Sequence, residues 1–122
     1  MKVTLPDSST IWLNAGSEVS YPKDFRKHKT RIIQLIGEAF FEVTHNEKQP
    51  FVVESGKLKT IVYGTSFNVS SYKDSEQSSV AVKTGKVGVL LREDSLGKST
   101  MLLPGNRLVY HRDNRKLETS SV

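Results

Sequence analysis

The 122-residue chain contains no cysteine. This absence excludes disulfide bridges, cysteine-ligated zinc, iron–sulfur clusters and thiol nucleophiles. The chain also has no run of 18 apolar residues, so no segment is predicted to cross a membrane as an α-helix. It does not open with the basic, apolar and small-residue succession of a secretory signal peptide. A small domain that depends on its apolar core for stability is what remains.

Patterns that carry catalytic or metal chemistry are missing as well. The three histidines, His28, His45 and His111, are far apart and match no metal-ligand spacing. Fifteen serines are present, but none lies in a Gly-x-Ser-x-Gly elbow. Glu38 and Glu42 fall on one face of a predicted strand about 13 Å apart, beyond the roughly 5 to 9.5 Å of glycosidase carboxylates. The sequence therefore predicts no catalytic, cofactor-binding or metal-binding residue, and we do not expect an enzyme.

Positive charge is in moderate excess. Eighteen Lys and Arg against thirteen Asp and Glu give a net charge of +5 at pH 7. The basic residues concentrate in residues 23–31 and, more thinly, in residues 107–116. We expect both groups to lie on solvated faces, with an anionic partner surface as the alternative. Phe25 is the one aromatic residue of the denser group, which gives little support for base stacking, so no nucleic-acid partner is predicted.

Residue types that favour β-strands dominate the chain. Val outnumbers Ala thirteen to three, and nine Thr add further β-branched positions. Apolar residues alternate with polar ones instead of recurring every three or four positions. In the most regular stretch, Leu35, Gly37, Ala39, Phe41 and Val43 fall on one face. This period of two predicts a half-buried strand with these residues toward the core.

Turn-forming residues interrupt the strands, often every eight to twelve positions. Clear turns are predicted at residues 6–9, 14–17, 46–50, 94–97 and 113–114. Helical periodicity is lacking, and only residues 22–28 are candidates for one irregular helical turn. The sequence thus predicts a single all-β domain over residues 1–122, with short strands in a β-roll, a jelly-roll-like or a solenoid-like sandwich and little or no helix. Residues 119–122 are expected to be either a truncated end or a frayed terminus.

Several blocks of the chain, taken in order, match one family pattern. Residues 5–17 read Leu-Pro-Asp-Ser-Ser-Thr-Ile-Trp-Leu-Asn-Ala-Gly-Ser, and residues 37–43 read Gly-Glu-Ala-Phe-Phe-Glu-Val. Pro-Phe-Val-Val, Gly-Thr-Ser-Phe-Asn-Val, Gly-Lys-Val and Leu-Pro-Gly-Asn follow at 50–53, 64–69, 85–87 and 103–106. In this order the blocks resemble the FecR-type domain over nearly the whole chain, from about residue 3 to residue 112.

These blocks are interpreted as structural motifs that specify the fold and contain no catalytic group. Their glycines are expected where strands turn or pack closely, and their large aromatic residues, Trp12 included, are expected in the core. Ser8 stands where the family usually has glycine, so its turn has to tolerate a β-carbon, with Asp7 as the expected cap. The structural residues of the family motifs are Trp12, Asn14, Gly37, Glu38, Phe41, Phe51, Gly64, Thr65, Phe67, Asn68, Gly85, Pro104 and Gly105.

The resemblance implies a regulatory function. FecR-like proteins are membrane-bound regulators of extracytoplasmic-function sigma factors in Gram-negative bacteria. A short cytoplasmic segment handles the sigma factor, one helix crosses the inner membrane, and the periplasmic part receives a signal. That signal comes from the signalling domain of an outer-membrane TonB-dependent transporter carrying its substrate. The sequences of the blocks are most similar to those of members from Bacteroidetes, where such systems often regulate glycan uptake.

On this resemblance, residues 1–122 are the middle periplasmic domain of a longer protein anchored in the inner membrane. It would need no cofactor. The transporter would be contacted together with a further C-terminal domain, and the sigma factor only through the cytoplasmic segment. Two alternatives remain open on the residues alone. One is a carbohydrate-binding module that uses exposed aromatic side chains, and the other is a structural domain that associates with itself through strand edges.

Overall fold

The computed structural model describes residues 1–92 and 99–121. The turn predicted at 94–97 and Val122 lie outside these residues. The described chain consists of strands and one 3₁₀ turn, Phe25–Lys27, within the stretch where a helical turn was predicted. The strands are β1 (Lys2–Thr4), β2 (Thr10–Leu13), β3 (Glu18–Ser20), β4 (Arg31–Glu42), β5 (Phe51–Ser55), β6 (Leu58–Val62), β7 (Ser66–Ser71), β8 (Gln77–Thr84), β9 (Val87–Leu91), β10 (Thr100–Leu102), β11 (Asn106–His111) and β12 (Lys116–Ser121). The prediction of an all-β fold with little helix is confirmed.

Strand β4 belongs to two halves of one curled sheet. Its residues 31–34 run parallel to β5, and residues 34–36 pair with β3. Its later residues pair with β2, which in turn pairs with β1, and with β7. The front half continues from β5 through β6 and β9 to β10, and the back half from β7 through β8 and β11 to β12. The sheet thus curls into a half-barrel around one core, and this selects a roll-like arrangement from those that the sequence left open.

Gly37 is the point at which β4 changes partners. The strand pairs with β5 up to Gln34 and with β7 from Gly37 onward. Gly37 has a φ of +108°, which side chains of L residues rarely adopt. A β-carbon on Gly37 would lie 2.8 Å from the Cα of Ser17, whose hydroxyl accepts the Glu38 N–H at 2.8 Å. Glycine therefore permits both the bend and the close approach of the preceding loop.

The alternation predicted for β4 is confirmed. Leu35, Ala39 and Phe41 are buried in the core, while Ile32 and Ile36 point to the opposite face and are about two-fifths exposed. The core draws inward side chains from both halves of the sheet. Its largest apolar members are Phe25, Phe41, Phe51, Phe67, Ile11, Ile33, Leu35, Leu58, Leu102 and Leu108.

Arg31 corrects the expectation that residues 23–31 form a solvated face. Its side chain is 1% exposed because it occupies the inward phase of β4, two positions before Ile33. Its Nε donates to the Gln49 carbonyl at 2.9 Å, and its Nη1 donates to the Asp7 carboxylate at 2.9 Å. The other basic residues of this stretch are exposed, as expected.

Residues near both ends of the described chain are tied into the sheet. The expectation of a frayed terminus at residues 119–122 is wrong for 119–121, since β12 pairs with β11 along its full length. Near the other end, Ser8 adopts a φ of +72°, and the Asp7 carboxylate accepts the Ser9 N–H at 2.9 Å, as expected for the cap. Within residues 1–92 and 99–121, no helix has the length and apolar character needed to span a membrane.

Candidate functional site

The glycines of the family motifs lie at close contacts between chain segments. A β-carbon on Gly64 would lie 2.7 Å from the Cα of His45. Gly85 has a φ of +77°, and a β-carbon there would lie 2.9 Å from the Gly64 carbonyl oxygen. Gly105 has a φ of +87° with open space around it and forms the centre of a turn together with Pro104. These positions shape the backbone and present no reactive group.

The motif phenylalanines form the centre of the core. The rings of Phe41 and Phe67 are stacked, with centroids 5.0 Å apart and an interplanar angle of 12°. Phe51 meets Phe41 edge-on at 6.4 Å. All three side chains are fully buried. The prediction that these three residues are core residues is confirmed.

The polar motif residues bind neighbouring strands and turns. Asn68 Nδ2 donates to Glu38 Oε2 at 3.0 Å, on the outer face of the back half. The Asn14 N–H donates to the Glu38 carbonyl at 3.0 Å and thereby holds the β2–β3 turn against β4. The Thr65 carbonyl accepts the Val43 N–H at 2.9 Å. These contacts are spread over the sheet and do not converge on one cavity.

Trp12 corrects the prediction of a buried indole. Its side chain is 37% exposed because Ile11 and Leu13 occupy the inward phase of β2. On the outer face of the back half, the Trp12 ring packs 5.9 Å from the Phe40 ring. Lys2 Nζ lies 5.7 Å from the centroid of the Trp12 ring. The expectation from the sequence therefore assigned Trp12 to the wrong face of β2, and the structure shows it exposed beside the half-buried Phe40.

The titratable residues are scattered. Each histidine faces one carboxylate: His28 lies 2.8 Å from Asp24, His45 lies 3.6 Å from Glu47 and His111 lies 3.5 Å from Glu118. The hydrogen bond with the His28 ring lowers the pKa of Asp24 below its ordinary value. In the described ranges, no three His, Asp or Glu side chains come close enough together to hold a metal ion.

A groove on the front half was not predicted. It has a volume of about 450 Å³ and lies between the segment that carries the 3₁₀ turn and the outer faces of β4 and β5. Tyr21 and Ile32, both partly exposed, line it, and Phe25 forms its floor. The sequence does indicate an apolar residue on the outer face here, because Ile32 alternates out of phase with the buried residues of β4. The arrangement can accept an apolar side chain of a partner.

The edges of the sheet offer a second kind of contact. Strand β12 ends the back half, and every one of its six residues is exposed. It pairs with β11 on one side, from Asn106 opposite Ser121 to His111 opposite Lys116. An edge strand with an open side can pair with a strand of another chain.

Comparison with known proteins assigns the family. The family model described as FecR protein matches residues 1–88. The chain belongs to the FecR family. Two crystal structures of a "putative anti-sigma factor" from Parabacteroides distasonis ATCC 8503 superpose on this FecR domain with a TM-score of 0.91 and 36% sequence identity.

The alignment with these structures covers 99% of this chain and 55% of each Parabacteroides chain. The FecR domain described here therefore spans about half the length of the solved structures that it matches. No curated protein sequence matches the chain significantly. The resemblance inferred from the ordered sequence blocks is thus confirmed.

Proposed function

We propose that this chain is a protein-binding signal-relay domain of an anti-sigma factor. The observation that carries the proposal is the 36% identity over 99% of the chain to a protein named as a putative anti-sigma factor, together with membership in the FecR family. In this proposal the domain lies in the periplasm, as part of a longer protein anchored in the inner membrane. The sigma factor is bound by a cytoplasmic segment of that longer protein.

The proposed signal is occupancy of an outer-membrane TonB-dependent transporter by its substrate. The signalling domain of the transporter contacts the periplasmic part of the FecR-like protein, and the contact changes the activity of the sigma factor. The open edge of β12 supports such a role, because an edge strand provides main-chain hydrogen bonds to a partner without a preformed pocket. The Tyr21-lined groove beside the 3₁₀ turn offers a second place for an apolar anchor.

We propose further that the domain catalyses no reaction and binds no cofactor. The support is the sequence, which offers no nucleophile next to a base and no carboxylate pair at a catalytic spacing. Two polar residues of the family motifs, Asn68 and Glu38, bond to each other. The function therefore rests on contacts with other proteins.

A reporter assay in cells tests the proposal. The gene for the full-length protein would be expressed in a strain whose reporter depends on the cognate sigma factor. Replacing residues 1–122 with an unrelated small domain is expected to abolish the response of the reporter to the transporter substrate, while the level of the protein stays unchanged. A reporter that still responds fully to the substrate would overturn the relay function.

A carbohydrate-binding function is the second candidate, because Trp12 is exposed beside Phe40. Exposed aromatic rings can serve as platforms for sugars, but Lys2 and Lys83 lie over the Trp12 and Phe40 rings at 5.7 and 5.8 Å. Both lysines would have to move for a sugar to stack. A glycan array probed with the domain and with Trp12→Ala decides the question. Hits that vanish in the variant would favour carbohydrate binding over protein relay.

A further inference from the structure

A second pocket opens where the two halves of the sheet separate. Beyond Gln34 the front strand β5 no longer pairs with β4, and the back strand β7 pairs only from Gly37 onward. Leu35 and Ile36 lie between these points and, among the described strands, pair only with β3. The resulting notch has a volume of about 490 Å³. The notch exists because β5 and β7 pair with different parts of β4.

The notch has an apolar floor and a basic rim. Leu35 and Tyr110, both almost fully buried, form part of the floor, and the exposed Ile36 extends it to the surface. Lys73, Arg112 and Arg115 lie along the rim. The described residues that line the notch include no carboxylate. The site therefore combines room for an apolar side chain with positive charge at its mouth.

Arg112 is held in place by main-chain oxygens. Its Nη1 donates to the Lys73 carbonyl at 3.0 Å, and its Nη2 donates to the Tyr72 carbonyl at 3.0 Å. The hydroxyl of Ser71 lies 3.5 Å from the same Nη2. These contacts fix the guanidinium but leave its charge without an anion, since carbonyl groups are neutral. A pre-oriented cation costs less entropy to bind than a free one.

Of the four basic residues that line the notch, Lys57 takes part in an interaction of its own, and the charge of the other three is not balanced by a carboxylate within the described residues. In residues 1–92 and 99–121, none of Lys73, Arg112 and Arg115 forms a salt bridge. The three side chains come from the β7–β8 connection and from the β11–β12 turn, which the sheet brings together. Like charges that lie around a concave surface raise the local concentration of anions.

We propose that this notch binds an acidic peptide segment of a partner protein. One apolar side chain of the segment enters the notch against Leu35, Ile36 and Tyr110, and flanking Asp or Glu side chains pair with Lys73, Arg112 and Arg115. Nucleic acid fits less well, because the one aromatic ring of the lining, Tyr110, is 4% exposed and offers no face for base stacking. The inference names the chemistry of the partner and rests on the protein-binding function proposed above.

A peptide titration followed by ¹⁵N NMR tests the notch directly. The probe is a blocked five-residue peptide with two acidic residues on each side of a leucine. Amide shifts are expected at Gly56, Ser71 and Tyr110, with a dissociation constant in the range of about 0.1 to 1 mM because the charges are exposed. Replacing the leucine of the peptide by glycine, or raising the salt from about 50 to about 500 mM, is expected to weaken binding. No shifts at about 5 mM peptide would overturn the proposal.

Variants separate the notch from general basic charge. Lys73→Gln with Arg115→Asn removes two rim charges, and asparagine tolerates the φ of +58° at position 115. We expect binding at least about threefold weaker with an unchanged urea midpoint. The matched control, Lys23→Gln with Lys27→Gln, removes two exposed charges near the 3₁₀ turn and is expected to bind normally. Equal affinities for both double variants would contradict a site in the notch.

Competing ligands and cells complete the test. Inorganic phosphate or a short single-stranded oligonucleotide that produces the same shifts at lower concentration than the peptide would overturn the assignment to an acidic peptide. If the rim variant loses the peptide but full-length protein carrying it still relays the signal in the reporter assay, the partner does not use this notch, and the relay function stands. If the reporter response is unchanged when residues 1–122 are replaced, the relay function is contradicted irrespective of the peptide result.

Discussion

Arg31 Nη1 donates a 2.9 Å hydrogen bond to Asp7 Oδ2, and the two side chains are only 1% and 10% exposed. The pair joins the first residue of β4 to the turn between β1 and β2. Arg31 also reaches the carbonyl oxygens of Thr44 and Gln49, at 3.1 and 2.9 Å. Its Nη2 has no partner among the described residues. Arg31 thus holds two segments, the β1–β2 turn and the β4–β5 connection, around its buried guanidinium.

Breaking this pair should destabilise the domain strongly. Asp7→Asn keeps the shape of the side chain but removes the charge that balances Arg31, and a loss of about 2 to 3 kcal/mol in the free energy of unfolding is expected. Arg31→Met should cost a similar amount. Because the double variant leaves no unpaired buried charge, its cost should fall at least about 1 kcal/mol below the sum of the two. Urea unfolding measures all three, and strictly additive costs would contradict a coupled pair.

Gly37→Ala should be among the most damaging glycine substitutions. It adds strain at a φ of +108° and a β-carbon 2.8 Å from Ser17 Cα, for a combined cost of about 2 to 5 kcal/mol. Gly105→Ala is the matched control, since it also has a positive φ but open space around it, and about 1 kcal/mol is expected. Equal urea midpoints for the two variants would show that the close approach of Ser17 does not add to the cost of a β-carbon at position 37.

Truncating two adjacent phenylalanines on β4 should destabilise the domain to different extents. Phe41→Ala removes a fully buried ring stacked on Phe67 and is expected to cost about 3 to 5 kcal/mol. Phe40→Ala removes a ring on the outer face, and a cost below about 1.5 kcal/mol is expected. Thermal unfolding of the two variants checks the phase of β4. A larger loss for Phe40→Ala would contradict the described alternation.

Trp12 provides an optical check of the outer face. Because its indole is 37% exposed, its fluorescence should be readily quenched by acrylamide in the native domain. Phe40→Ala should increase the quenching further, since it removes the ring that covers one side of the indole. The same experiment on Phe67→Leu serves as the control. An emission that acrylamide barely quenches would restore the original expectation of a buried indole.

The pH dependence of Asp24 follows from its contact with His28. The hydrogen bond lowers the pKa of the carboxyl below its ordinary value of 3.8. A carboxyl with a lowered pKa in the folded chain contributes stability above its unfolded pKa and loses it as the pH falls through the folded value. Carboxyl titration by NMR should give a midpoint below 3.8, and His28→Gln should raise it. His45→Gln should leave the midpoint unchanged, and a similar rise there would contradict the assigned cause.

Much of the sheet was predictable because burial on one face imposes a period of two. The spacing of Leu35, Ala39 and Phe41 indicates which face of β4 is buried, even when the partner strands are unknown. The phase of β2 could not be read in the same way, because Ile11, Trp12 and Leu13 form an apolar run without a polar marker. Pairing with β4 turns Ile11 and Leu13 toward the core. Trp12, the largest residue of the run, therefore faces outward.

The buried Arg31 and the basic notch depend on contacts that are distant in sequence. Arg31 reads as one more cation of a charged stretch until its phase on β4 and its acceptor at Asp7 are known. Lys73 and Arg115 are brought together only by the pairing of β7, β8 and β11. Composition and spacing give no signal for contacts of this kind, whereas the period of two indicated the buried face of β4 and the resemblance of the ordered blocks indicated the family.

The most direct test of the relay function is a calorimetric titration of the domain with the signalling domain of its cognate transporter. It would be run with this chain and with the full periplasmic part of the protein. We expect saturable binding by the longer form, and weaker binding by this chain that the Lys73→Gln, Arg115→Asn variant reduces further. Absence of binding by both forms would contradict the account of this FecR domain as a receiver of the transporter signal.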